Sequence, residues 1–336
     1  MRGGVGQGTT FGMTDKPPRP APITRPGPAD PAVLNWGTVT LLRGPLSRIA
    51  GFAAWHLSLG AARVTLYLDD PDPAQIAYLD HPRVTLIPCT PQFWAGLDRP
   101  RPDAHQRRQA LVATDAYRDS AGLNWLAHID MDEFLLPETS VAETLAAAPP
   151  DLGALVMNPA EQLAGPPPER FKLAPRHVGK TKSLLPRLYP TFGQYLRGGF
   201  ISHLEGKLFA RTGIERFRLG IHGASYRGHP IENRTRTTGI WLGHAHAPDW
   251  DTFQRHMGYR LTKGSYRNPQ AGGLPFSQLL DMLAQEGALR AFYDEVCSAT
   301  PHLVAALQAE GMLITRPLDL PAKIADSFGP LPKDAQ

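Results

Sequence analysis

Apolar and β-branched residues cluster at Thr38–Leu42, yield to turn residues, and return at helical spacing between Ser47 and Leu59. The first segment reads as a buried strand. The second reads as a helix with Ile49, Phe52, Ala53 and Leu57 on one face, closed by Gly60 where a left-handed residue belongs. Val64–Leu68 repeats the strand pattern and ends in Asp69-Asp70-Pro71-Asp72, and a short helix around Ala74–Leu79 leads to a third strand, Val84–Ile87. Strands alternating with helices in this way predict a parallel sheet covered by helices, an α/β fold.

A longer helix is expected from Asp103 to Ala121, with Leu111, Thr114, Tyr117 and Ala121 facing inward. It is followed by the apolar strand Trp125–Ile129, which stops abruptly at Asp130-Met131-Asp132-Glu133-Phe134. Ser140 and Glu143 have the spacing of a capping box for the next helix, and Leu152–Met157 reads as a strand. Proline and charge dominate 159–197, which reads as long loops. Short β segments at Lys207–Arg211, Phe217–His222 and Gly239–His244 then make the sheet mixed. Asp249 has the character of an N-cap, and Phe276–Gln308 reads as two helices. The segmentation is thus a leader over 1–34 with too few large apolar side chains to fold, one domain over 35–312, and a tail over 313–336.

A hydrophobic fraction of 42% with 20% charged residues is ordinary for a folded chain. Thirty-five Lys and Arg against 31 Asp and Glu give a net charge of +4. That excess suits a small anionic substrate and is too weak to argue for nucleic acid. Two widely separated cysteines, Cys89 and Cys297, imply no disulfide framework, so a reducing cytoplasm is expected; no run of apolar residues is long enough to span a membrane.

The chemistry is concentrated where the strand ends. Acidic residues at the carboxyl end of a buried strand face the crevice in which open α/β sheets bind ligands. If the chain stays extended, alternation places Asp130 and Asp132 on one side, where two carboxylates repel unless a cation joins them. The same spacing also suits a solvated acidic turn. Asp130-Met131-Asp132-Glu133-Phe134, preceded by Trp125 and an apolar run, resembles the signature of GT-A-fold glycosyltransferases of the family 2-like and family 92-like groups. Trp55–Gly60, Tyr67-Leu68-Asp69-Asp70, Gly206–Arg211, Ile221-His222-Gly223, Leu242–His246, Phe253 and Lys263-Gly264 are similar to further segments of those proteins, so the likeness spans about residues 36–265.

That resemblance implies a mixed central sheet flanked by helices, and an inverting transfer of sugar from a nucleotide donor, UDP-sugar being expected, to a glycan or surface-polymer acceptor. It implies Asp130 and Asp132 as ligands of Mn2+ or Mg2+, and Asp69 and Asp70 as partners of base or ribose. His244 is the choice for a third ligand, with His246 competing on the same side. Lys207, and less strongly Arg107, are candidates to neutralise phosphate, since an unpaired charge in the apolar 207–211 run would be costly; Arg108, Arg255, Arg260 and Lys263 are more easily read as solvated helix residues. His222 and Asp249 are the candidates for general base.

Four other readings compete with this one. A haloacid-dehalogenase-like phosphatase, with Asp130 as nucleophile, would place Thr or Val where Phe134 stands and would carry its motif nearer the start of the chain. Val178-Gly179-Lys180-Thr181 lacks the first glycine and leading strand of a phosphate-binding loop, and His244-Ala245-His246 finds no further zinc ligands at a convincing spacing. A non-catalytic carbohydrate-binding relative is compatible with the same fold.

Overall fold

The computed structural model describes residues 28–97, 100–196, 198–263 and 276–333. Residues 1–27 of the expected leader, Gly264, and the side chains of Arg260 and Lys263 lie outside the described residues. The first third of the chain alternates as its apolar pattern requires: β1 (Trp36–Leu42), α1 (Leu46–Ser58), β2 (Arg63–Leu68), α2 (Pro73–Tyr78) and β3 (Val84–Pro88). Gly60 follows α1 with φ of 91°, the left-handed closure its position suggested. Next come α3 (Pro91–Gly96), α4 (His105–Arg118), β4 (Trp125–His128), β5 (Glu133–Pro137) and α5 (Val141–Ala146), the last held by the Ser140–Glu143 capping box.

Then follow β6 (Ala154–Leu163), β7 (Arg170–Leu173), α6 (Leu185–Leu188) and β8 (Lys207–Arg211). A small separate sheet is made by β9 (Phe217–Leu219), β10 (Ala224–Tyr226) and β11 (His229–Pro230). The chain continues through β12 (Arg234–His244), α7 (Trp250–Lys263), α8 (Phe276–Gln285), α9 (Leu289–Val296), α10 (Pro301–Ala309), β13 (Leu313–Thr315) and α11 (Leu320–Phe328).

The main sheet has ten strands in the order β13-β7-β6-β8-β4-β1-β2-β3, with β12 beside β6 and β5 beside β12. β1 pairs in parallel with β2 and β4, and β2 with β3, whereas β8 runs antiparallel to both β4 and β6. The protein is therefore α/β with a mixed central sheet flanked by helices. Every residue of β1 is buried, as expected of a strand covered on both faces.

Four sequence expectations differ from what is observed, the first being the pair of helices over 276–308, where three form, α8, α9 and α10. Residues 159–197 are not simply loops: β6 runs on through Pro159 to Leu163, and β7 pairs with it. The inward stripe of α4 is Gln109, Val112, Ala113, Ala116 and Tyr117, shifted from the expected phase because polar Arg108 and Gln109 are themselves buried. Residues 313–328, set apart above as a tail, add β13 to the edge of the sheet beside β7 and lay α11 against α1, burying Ile324.

One polar connection braces the rear of this sheet. Lys172 donates to Glu161 at 3.1 Å and to the Val296 carbonyl at 2.7 Å. Glu161 accepts from the backbone N–H groups of Ile201 and Ser202. Both side chains are buried, so the pair is tolerable only because nearly every polar atom is satisfied. Its effect is to fix the backbone immediately before His203.

Candidate metal centre

β4 ends at His128 because residues 130–133 turn back: the Glu133 N–H donates to the Asp130 carbonyl at 3.0 Å, and the Glu133 carboxylate accepts from the Asp130 N–H at 2.7 Å. The chain is not extended here, so the alternation that was to align Asp130 with Asp132 does not apply. Each aspartate has a different neighbourhood.

Asp130 faces α4 and β8. Lys207 Nζ donates to its Oδ2 at 2.9 Å and Gln109 Nε2 to its Oδ1 at 2.6 Å. Lys207 is fully buried and also lies 3.6 Å from Glu133, itself fully buried. One ammonium thus sits between two carboxylates. Burial opposes ionisation of Asp130, yet the charge and hydrogen bond of Lys207, with His128 and His244, together outweigh it and hold this carboxyl below its ordinary range. Glu133 has the poorer share of Lys207: burial, assisted by the nearby Asp130 charge, pushes it up to about 7.

Asp132 faces β12. Its backbone carbonyl accepts from the Ala245 N–H at 2.8 Å, and β5 pairs with β12 so that Glu133 lies opposite His244. This register brings the Asp132 Oδ2 to 3.4 Å from His244 Nε2. Ligating atoms of Asp132, His244 and His246 lie within 4.8 Å of one another, as do those of Glu133, His203 and His244. The first trio is the better cation site, since a cation bound to the second would meet the Lys207 ammonium beside Glu133. Of the expected Asp130, Asp132 and His244, the last two converge here with His246, whereas Asp130 is engaged by Lys207 and Gln109 and stands outside this trio. A third group able to ligate does stand beside the His244–His246 pair, the Asp132 carboxylate, though it lies 112 residues upstream of His244, beyond any local motif.

The imidazoles form a connected group. The His203 ring lies 4.3 Å from that of His222 and 5.8 Å from that of His244, and His244 lies 4.9 Å from His246. His222 Nδ1 is 3.2 Å from the Gly206 carbonyl, an acceptor that requires the proton on that nitrogen and leaves Nε2 with its lone pair. His128 Nδ1 faces the Gly220 carbonyl at 3.0 Å in the same way; burial, with Lys207 adding to it, pushes this ring down to about 4 and keeps it neutral.

The remaining expected residues lie apart from this cluster. Asp69 is held by Arg108 at 2.8 Å and Arg101 at 2.9 Å, so its carboxylate is already paired and only 5% exposed. Arg108, read above as a solvated helix residue, is instead buried. Asp70 makes a surface pair with Arg43. Arg107 is exposed on the outer face of α4. Asp249 is the N-cap the sequence suggested, accepting from the Thr252 N–H at 2.7 Å and from its hydroxyl at 2.9 Å, which engages the carboxylate also considered as a base. Gln109, Glu133 and His203 were not anticipated. Glu133 stood inside the motif, whereas nothing near His203 in sequence marks it.

One carboxylate and two imidazoles suit a first-row ion such as Mn2+, Fe2+ or Zn2+ better than the oxygen-preferring Mg2+. The chain matches no protein-family model, and no curated protein matches it.

Proposed function

We propose that the protein is a metal-dependent glycosyltransferase of the GT-A type that uses a nucleotide-diphosphate sugar, with a UDP-sugar as the expected donor and a glycan or surface polymer as acceptor. The observation that carries this reading is the convergence of Asp132, His244 and His246 on the turn after β4. It lies at the carboxyl edge of the parallel strands, where such a sheet binds its ligands. A divalent ion held there would offset the negative charge that develops on the departing diphosphate.

The chain's own residues supply the rest. Burial opposes ionisation of Asp132, yet the charge and hydrogen bond of His244 and the charge of Arg48 together hold its carboxyl below the ordinary range, so a carboxylate is ready for a cation. Lys207 locks Asp130 to β8 and Gln109 locks it to α4, which fixes the turn and hence the aim of Asp132. The Asp69–Arg108–Arg101 cluster stands at the end of β2, where its guanidinium groups can face phosphate or base. In this reading the acceptor hydroxyl attacks the anomeric carbon, the bond from that carbon to the diphosphate oxygen breaks, and the hydroxyl proton passes to His222 Nε2. His222 is preferred to Asp249 because its second nitrogen is free of the Gly206 contact, whereas Asp249 is engaged in capping α7.

Titration calorimetry of UDP with and without Mn2+ tests the reading. Binding should require the ion, and Asp132→Asn should remove the ion-dependent part. UDP binding indifferent to Mn2+, Mg2+ and Zn2+, together with no donor hydrolysis across UDP-, GDP- and dTDP-sugars, would rule the proposal out.

A further inference from the structure

Away from the acidic turn, the outer face of α4 and the small β9–β10–β11 sheet enclose two hollows of about 1110 and 1180 Å³. They share Arg118, Arg218 and Gly228 in their walls and so form one groove. Six exposed arginines line it: Arg101, Arg107, Arg118, Arg216, Arg218 and Arg227. Arg101 is paired with Asp69; among the described residues, none of the other five has a carboxylate within 4.0 Å, although Asp103, Asp115 and Glu215 also line the groove. Asp115 is in turn engaged by the Tyr67 hydroxyl. Unpaired like charges crowded around a concavity raise its potential and await an anion.

The backbone adds an independent observation. Arg216 and Arg227 both have positive φ, 58° and 50°, and the Arg227 N–H donates to the Arg216 carbonyl at 3.0 Å. Arg227-Gly228 forms the two-residue turn between β10 and β11, where Asn or Gly carries less strain. At Arg227 the guanidinium lies over the Tyr226 ring at 5.1 Å, whereas turn chemistry does not explain a long cation at 216.

We propose that this groove docks an extended anionic glycan chain, one bearing carboxylate or phosphate along its sugars, and that this chain is the acceptor. The second clause rests on the transferase reading above. Two observations select this class of polymer. The groove borders the Gly220–Gly223 turn, which carries His222 and receives the His128 contact, so a chain lying in it points toward the candidate centre. Its lining aromatics, Tyr117 and Phe217, are buried and stacked on each other at 4.6 Å, leaving no open ring for a nucleobase. A lipid surface fits poorly too, because the groove is concave and the exposed large apolar residues Val33, Tyr195 and Met282 do not line it.

The test compares the full chain with Arg118→Ser/Arg218→Ser/Arg227→Asn, all exposed positions outside the candidate centre, with thermal melting to check folding. Probes are a size-defined polygalacturonate oligomer, neutral dextran, a single-stranded oligonucleotide and phosphatidylglycerol vesicles. The native protein should bind polygalacturonate and not dextran. The triple variant should bind it roughly tenfold or more weakly, with a flatter dependence on salt, while UDP–Mn2+ affinity stays unchanged. Equal binding by the two proteins, no polygalacturonate binding, or preference for the oligonucleotide or vesicles would overturn the proposal. Arginine-dependent glycan binding without turnover of any nucleotide sugar would uphold the docking surface and sink the transferase reading.

Discussion

Replacing Lys207 by Met tests the charge arrangement on which the site depends. Lys207 is fully buried between Asp130, whose side chain is 28% exposed, and the fully buried Glu133. Methionine fills a similar volume, so the change removes charge with little loss of packing. Breaking a buried pair by deleting one partner costs about 3–5 kcal/mol. The partial exposure of Asp130 argues for the lower end, about 3 kcal/mol near pH 8, where both carboxyls of the native protein are ionised. The pH dependence follows from Glu133. Its value in the fold, about 7, is above that of the unfolded chain, so its contribution to stability is present below the ordinary glutamate range and is lost as pH rises through 7. Without Lys207 that value climbs further. At pH 5.5 Glu133 is protonated in both proteins, so its share of the penalty vanishes and only Asp130's remains. Urea unfolding at the two pH values should show a deficit that shrinks by roughly half on acidification. A deficit below about 1 kcal/mol, or one equal at both pH values, would mean that Lys207 does not carry these two charges.

Asp132→Asn should abolish Mn2+ binding measured by calorimetry, whereas Asp130→Asn should weaken it only several-fold through a loosened turn; equal losses would restore Asp130 as a ligand. His244→Ala and His246→Ala should each lower Mn2+ affinity by about tenfold or more, and unchanged affinity in both would remove imidazole from the site. His56 is buried with its Nδ1 on the Phe52 carbonyl, and burial pushes it down to about 4, as it does His128. Both rings therefore stabilise the fold above their unfolded value of 6.5, and this is lost as pH falls from 6.5 toward 4. The loss is roughly 3 kcal/mol each at the limit, and His56→Gln should flatten the acid limb of the unfolding curve. A Cβ at Gly206 would lie 1.7 Å from the Met157 carbonyl oxygen, so Gly206→Ala should cost about 3 kcal/mol or more and lower cation affinity through the adjacent Lys207; a melting point within a degree of native would refute this.

The parts of this molecule legible in its sequence are those whose cause is local. The βαβαβ opening, the closure at Gly60, the Ser140–Glu143 box and the Asp249 cap each follow from a few adjacent residues whose chemistry admits one main use. The site divides along the same line. The acidic turn could be found because five consecutive residues announce it, but the partner of each aspartate could not. Lys207 is 77 positions from Asp130, and His244 is 112 from Asp132; both are delivered by strand pairing, through β4–β8 and β5–β12. Alternation misled because it assumes an extended chain, and the Glu133 side chain had already closed a turn there.

That turn also accounts for the buried cation beside a proposed cation site, an arrangement that would otherwise look self-defeating. Three carboxylates within four residues cannot all remain ionised in a partly dry crevice without compensation. Lys207 offsets the charge of Asp130 and Glu133 and ties both to β8, so repulsion no longer drives the turn apart. Asp132 has imidazoles for neighbours instead, and a divalent ion bound there would meet the Lys207 charge only at a distance. In the proposed function, Lys207 thus keeps a metal from Asp130 and Glu133 and leaves Asp132 to hold it. It follows that Lys207→Met should draw Mn2+ toward Asp130 as well as destabilise the fold, making Asp130→Asn far more harmful to ion affinity in that background than in the native one, where it costs only several-fold. If Asp130→Asn has the same effect on Mn2+ affinity with Met at 207 as with Lys, the two charges do not compete and Lys207 has no part in directing the ion.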